Sequence, residues 1–480
     1  MKARYRPYNP EEGYFTLIDP RDIKNHNPLL KAIDSFVEEH ISIEPFSQSV
    51  KNEIEGAPAV HPKMMLKVIF YSYAKGIYSS REMEDRMRWD PNYIYLSANQ
   101  RVDHSTICNF ILKYKEETQW VFSRLVYVMA KMGYISLDFV AVDGTKIRAD
   151  ASKRFTGDVE EFRQQRDRIE RKIEKILHHT TTEAPEGKAR QEKKLDTLER
   201  EKAKIEAFLA EVEQGETTPR GKVSLTDRDA CMVKDKDSKY MGYNCQMAVD
   251  EENHAIVGAE VFNEASDRGL MQPMIEEVRK QTDNGLSKTE IGVDAGYFSS
   301  DNIRYCHERG LDVYLPEGTG EAGVRQWKGD LIRSRDCQLE IEGDIKRLTC
   351  PGGQVMETLV AKEDRGSYFY RFRPNVKACR DCALRARCYR NKSKYRDFRV
   401  KKEYFETLSL RARMTEKLSS EQGKKRMRGR SCLIEHVFGE IKEALQFRRF
   451  LHRGIEKVKV IWELVCIGYN FRKLARLAYG

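Results

Sequence analysis

Residues 137–150 read LDFVAVDGTKIRAD. An apolar run, Phe139 to Val142, ends on an acid, Asp143, and passes into a small basic turn of Gly144, Thr145, Lys146 and Arg148. The run predicts a buried strand. A carboxylate at its edge must be hydrogen-bonded, paired with a cation or bound to a metal, because burying it alone is costly. Taken alone, the stretch favours an Asp that merely caps the following turn, so the rest of the chain has to decide.

Downstream, the apolar runs Gly242 to Val249 and Ala255 to Phe262 flank the polar stretch Asp250 to His254 and predict a hairpin. A helix is expected over Leu270 to Gln281, then a short strand, Glu290 to Val293, that again ends on an acid, Asp294. Ser299, Ser300 and Asp301 start a capped helix, and Leu311 to Leu315 reads as another strand. Further on, Leu433, Val437, Ile441 and Leu445 recur every fourth residue and mark the buried stripe of an amphipathic helix. Glu435 and Lys442, seven apart, share one face of it, with Gly439 between them. A solvated charged face is the plain alternative. A last helix is expected over Lys457 to Leu477.

Upstream, residues to about Gly133 read as helical. Asn27 to His40 begins on an N-cap followed by Pro28, and Pro62 to Ala74 carries apolar residues at helical spacing. Ser79 with Glu82 is a capping-box start for a short helix to Arg88, and Ser105 or Thr106 starts a longer one. Two helices joined by a polar segment can form a helix-turn-helix, although most such pairs only pack on each other. Between Asp158 and Gln214, Phe162, Ile169, Ile173 and Ile176, then Leu195, Leu198, Ile205, Leu209 and Val212, form heptad-like seams on either side of the turn TTTEAPEGK. This predicts an antiparallel helical hairpin.

The 480 residues suffice for a large domain with insertions or for two to three domains. No run is long and apolar enough to span a bilayer, and the start, MKARYRPYNPEEGYF, lacks the apolar core of a signal peptide, so a cytoplasmic protein with no membrane partner is expected. The formal charge is +10, and Lys424 to Arg476 holds fourteen Lys and Arg against five Glu, a local +9 that suggests a polyanion such as nucleic acid. Of the eleven cysteines, Cys350 in CPGG and Cys379, Cys382 and Cys388 in CRDCALRARC supply four thiolates for a candidate structural zinc, with Cys337 an alternative ligand.

Two strand-end Asp residues and one helical Glu could converge only with cations between them. Oxygen ligands suit Mg or Mn, and two such ions roughly 4 Å apart can activate an attacking oxygen and stabilise a leaving one at a phosphodiester.

On VDGTKIRADASK from Val142, GVDAGYFSSDNI from Gly292 and IEHVFGEIKEALQFRRFLHRG from Ile434, the chain resembles the bacterial insertion-sequence transposases of the IS-four-like superfamily, with an RNase H-like core and a DDE triad. The segments YMGYNCQMAVDEE, FNEASD and HPKMMLKVIFYSYAKGIYSSREME extend the likeness over nearly all the chain from about residue 60. The resemblance implies that Asp143 and Asp294 coordinate both Mg (or Mn) ions, that Glu435 completes the site, and that Lys442 contacts DNA. Where the family often places an Arg four residues before the Glu, this chain has Ser431, and Arg428, two turns ahead of Glu435, is the substitute.

The expected architecture is α/β. It comprises a helical N-terminal domain (1–133), an RNase H-like mixed sheet in pieces (134–157, 216–316), an inserted helical hairpin (158–215), a cysteine-rich zinc-ribbon-like insertion (317–400) and basic C-terminal helices completing the core (401–480). The expected function is cleavage of element ends and strand transfer on double-stranded DNA by a nucleoid-associated homodimer. Lys146, Arg148, Lys424, Lys425, Arg426, Arg428, Arg430, Arg448, Arg449 and Arg453 would hold phosphates. A metal-dependent nuclease on the same core, or a catalytically silent DNA-binding regulator, are the competing readings.

Overall fold

The computed structural model describes residues 19–47, 59–179, 185–219, 221–235, 238–282, 286–317, 332, 337–358, 360–364, 366–388 and 396–480. At its centre is a mixed sheet. Strand β1 (Phe139–Arg148) lies between β3 (Ser238–Asp250), which runs antiparallel to it, and β5 (Glu290–Gly292), which runs parallel. Beyond β5, β6 (Asp312–Tyr314) continues in parallel. The other edge of β3 pairs antiparallel first with β2 (Cys231–Asp235) and then with β4 (Ile256–Phe262). One long antiparallel neighbour on one side of β1 and short parallel strands on the other is an arrangement consistent with an RNase H-like core. The β2 arm of the sheet had no signal in the apolar pattern, because Cys231 to Asp235 is short and polar at its end.

The helices fall close to the expected places. Pro28–His40 starts at Asn27, whose side chain accepts from the Leu30 N–H, and Pro62–Ala74 spans the expected residues. Two other expected caps differ: Ser79 precedes Ser80–Trp89 but makes no side-chain cap hydrogen bond, so the capping box does not form. Asp103, not Ser105 or Thr106, caps His104–Lys113, and its carboxylate accepts from both of those N–H groups, since a charged acceptor outcompetes a hydroxyl for the orphan donors. The polar segment expected to join a helix-turn-helix carries a third short helix, Pro91–Leu96, between Ser80–Trp89 and His104–Lys113, so the pair lacks the tight connection that motif requires.

These N-terminal helices do not stand apart. Their buried side chains, among them Phe36, Phe70 and Leu125, join one continuous apolar core with β1, β3 and β4 and the C-terminal helix Ile455–Tyr479. Polar anchors fix that helix to the sheet. The fully buried Trp462 donates its Nε1–H to the Gln246 carbonyl at 3.0 Å, and Asn470 bonds both the N–H and the carbonyl of Ile256.

The helical hairpin forms as Val159–His179 and Pro185–Glu213. Its base is closed by a two-stranded ladder, Thr156–Gly157 with Val223–Ser224. Phe162, Ile169, Leu198, Ile205 and Leu209 bury in a core of their own, as the seams require, joined by Phe208 and Leu225. Of the expected turn, residues 180–184 lie outside the described residues, and Pro185 opens the second helix, where its missing N–H costs nothing. The cysteine-rich insertion is a third, separate core around Leu348, Met356, Phe372, Phe398 and Phe405, built on two small antiparallel sheets. Among the described residues no helix is long and apolar enough to cross a membrane.

Candidate active site

Asp143 lies midway along β1, opposite Met247 of β3. Because Ala141 pairs in parallel with Gly292, the same register carries Asp294, two residues past the end of β5, to the level of Asp143. The two acids expected to meet are therefore neighbours across adjacent strands. Each spends one oxygen on a nearby backbone N–H: Asp143 Oδ1 accepts from the Gly144 N–H and Asp294 Oδ1 from the Gly296 N–H, both at 2.7 Å. No turn follows Asp143, because β1 continues through the expected turn residues to Arg148, whereas Asp294 does cap the turn Ala295–Tyr297.

Burial pushes the Asp143 carboxyl up to about 6; Arg430 opposes this, while the nearby charges of Asp294 and Asp267 add to it. Asp143 is thus a carboxylate in a place that disfavours its charge unless a cation is present. Here the cation is Arg430, whose guanidinium Nη2 lies 2.5 Å from Asp143 Oδ2 with both side chains largely buried. It reaches the strand past Gly292, where a Cβ would come within 3.2 Å of the Arg430 Cγ and 2.6 Å of the Phe139 ring.

A polar network lies beside these acids. Asn244 and Gln246 of β3 are fully buried, and they share a face of the strand because they are two apart. Gln246 donates to Asn244 Oδ1 at 2.9 Å, and its carbonyl oxygen accepts from the Tyr297 hydroxyl. Both amides donate to Asp267 Oδ1, at 2.7 and 2.9 Å, and Lys146 Nζ joins them at 2.9 Å. Gly144 stands opposite Gln246, and any Cβ there would collide with the Gln246 amide. The glycine after Asp143 is thus explained by packing. Burial, with the Asp143, Asp267 and Asp294 charges, holds the Tyr297 phenol well above its ordinary range, so it remains a hydroxyl donor.

The third expected acid is placed differently. Glu435 lies on the helix Glu421–Gly439, which packs on β1, β5 and β6, but its side chain is exposed and makes no hydrogen bond or ion pair among the described residues. Arg430 and Glu435 are five residues apart, or about 140° around a helix, so the face that meets Asp143 presents Arg430. Among the described residues no three Asp, Glu, His or Cys side chains are gathered as a closed metal cage. The stripe Leu433, Val437, Ile441 and Leu445 is buried as expected. Four-residue spacing overshoots 3.6 per turn, and the helix accommodates it by widening into a π turn over Glu440–Ala444, which includes Lys442.

The basic residues divide. Arg426 and Arg430, expected at phosphates, are instead internal counter-charges: Arg430 holds Asp143, while Arg426 pairs with Glu251 and Glu290 and lies over the Phe139 ring. Lys146 is taken by Asp267. Lys424, Lys425, Arg428, Arg448, Arg449 and Arg453 are exposed; Lys424 and Arg448 pair with the nearby Glu421 and Glu443, and Arg449 and Arg453 share Asp150 at the end of the opening stretch. Arg148 stacks over Tyr240 at 4.7 Å.

Cys350, Cys379, Cys382 and Cys388 line one small cavity of the insertion. Burial raises the Cys379 and Cys388 thiols, and the neighbouring sulfurs raise both further. Cys337 is buried in the adjoining core instead. By donor chemistry alone, carboxylate oxygens such as those of Asp143 and Asp294 are the type that suits a hard divalent ion, and thiolate sulfurs the type that suits zinc.

Asp267, Asn244, Gln246 and Tyr297 were not singled out by the sequence reading. The available signal was two amides at i and i+2 inside the apolar run YNCQMAVD, which puts two buried polar groups on one face of a strand.

No curated protein and no solved structure was found to be similar. Two family descriptions do match: a transposase domain (DUF772) over residues 18–113, and a transposase DDE domain over residues 349–475, which takes in Glu435 and the four clustered cysteines. The two matches together indicate an insertion-sequence DDE transposase.

Proposed function

We propose that the chain binds the ends of its insertion sequence, cleaves them and joins them to target DNA, using Asp143, Asp294 and Glu435. The observation that carries this reading is the pair of acids at one level of adjacent strands, where burial and the charge of Asp294 disfavour the Asp143 carboxylate. Divalent Mg or Mn, when bound, supplies activation of the attacking oxygen and charge stabilisation of the leaving one.

The chain's own part is to present carboxylate oxygens on a rigid sheet and to hold DNA in line. Asp143 Oδ2 becomes available to an ion when Arg430 gives up its contact with that oxygen. Glu435 is exposed on the same helix, about 140° round from Arg430, so it joins the two acids as that helix turns against the sheet. The exposed Lys424, Lys425, Arg428, Arg448, Arg449 and Arg453 contact phosphates, so binding weakens steeply with salt. Four thiolates of the insertion hold a structural zinc, and a homodimer brings two ends together.

Strand transfer from precleaved ends tests the reading. Joined products in Mg are expected, and hydrolysis without joining would assign the chain to the metal-dependent nucleases instead.

A further inference from the structure

Asp267, in the loop between β4 and the helix Met271–Thr282, is an acid close to Asp143 that has no part in the proposed function. Its two oxygens are treated unequally. Oδ1 receives Lys146, Asn244 and Gln246, three donors on one atom, of which the two amides are fully buried. Oδ2 takes no hydrogen bond among the described residues. It lies 3.6 Å from the point where a Cβ on Gly296 would sit, and Asp294 Oδ1 lies 2.9 Å from that same point. The free oxygen therefore faces the Asp294 turn.

The same network reaches that turn by a second route, because Gln246 accepts from Tyr297, the last residue of the turn that Asp294 caps. Three donors on Oδ1 restrain the carboxylate, which keeps Oδ2 towards the Asp294 turn.

We infer that Asp267 is a positioning residue of the divalent-cation site, locked through Oδ1 so that Oδ2 orients the water shell of an ion held by Asp143 and Asp294. The inference rests on the carboxylate-site reading above. Lys146 is then the counter-charge that tempers Asp267 and not a phosphate contact. Outer-shell partners of this kind typically contribute 10- to 100-fold in metal affinity.

Manganese titration of the full-length protein without DNA, read by calorimetry, tests it. Asp267→Asn keeps an oxygen acceptor for the three donors and removes the charge; it is expected to weaken Mn binding about tenfold or more, with the unfolding midpoint near wild type. Lys146→Met leaves Asp267 intact and strips its counter-charge, so it is expected to tighten Mn binding, a change that a purely structural role would not produce. Wild-type affinity in both variants would overturn the assignment. Asp294→Asn separates the two levels: if it too binds Mn like wild type, the carboxylate-site reading fails and takes this inference with it, whereas loss of binding there with no effect at Asp267 overturns this inference alone.

Discussion

Asp294→Asn is expected to reduce cleavage and strand transfer by about a thousandfold or more while leaving DNA affinity and its salt dependence near wild type, since a metal ligand contributes several kcal/mol to transition-state charge stabilisation. The amide is a fair test because it preserves the local fold. Asn can still accept from the Gly296 N–H, so the turn Ala295–Tyr297 remains capped and Tyr297 remains joined to Gln246. What it removes is the charge beside Asp143. Binding persists because the exposed basic residues sit on the C-terminal segment and are untouched. Cleavage assays on end-containing duplex, paired with binding measured over a salt series, check both halves. Normal cutting by this variant would show that Asp294 holds no catalytic ion.

The second large effect concerns the cysteine-rich insertion. Its core is small, the two three-stranded sheets have many exposed faces, and the four thiols line one cavity. A structural zinc would staple such a unit, since it contributes apparent free energies of about 10 to 16 kcal/mol in small zinc modules. The purified protein is expected to carry one zinc per chain by elemental analysis. Cys379→Ser is expected to lose that zinc and to become protease-sensitive within residues 337–401, with the central sheet still resistant. Its effect stays local because the insertion's core and the main core are separate clusters. Wild-type protein without zinc would remove this assignment.

Much of the scaffold was legible in the sequence because it follows from periodicity and caps. The stretches before Asp143 and Asp294 were readable as strands, and their parallel pairing sets the two acids at one level, although β1 runs on to Arg148 instead of ending at Asp143. The hairpin seams were readable from heptad spacing, and the Pro28 and Pro62 helices from proline at the first turn. What stayed hidden was set by pairing across long separations. Arg430 and Asp143 are 287 residues apart, and nothing local distinguishes an arginine that closes a buried pair from its exposed neighbours Arg428 and Lys425. The union of the N-terminal helices with the sheet in one core was equally invisible, because an amphipathic face does not name what covers it. Glu435 shows the opposite case: its spacing to Lys442 places it on a helix face, but the rotation of that helix against the sheet is decided by Arg430, Ile434 and Val437, which are buried.

Asp143 lies within a strand and not before a turn, held by the Gly144 N–H and the Arg430 guanidinium at the level of a second acid. The claim that this pair holds a divalent ion is tested most directly by loading the protein with ferrous iron in place of magnesium and mapping oxidative backbone cuts by mass spectrometry. Cuts beside Asp143 and Asp294 that magnesium suppresses are predicted. Cuts confined to other segments, or insensitive to magnesium, would contradict it.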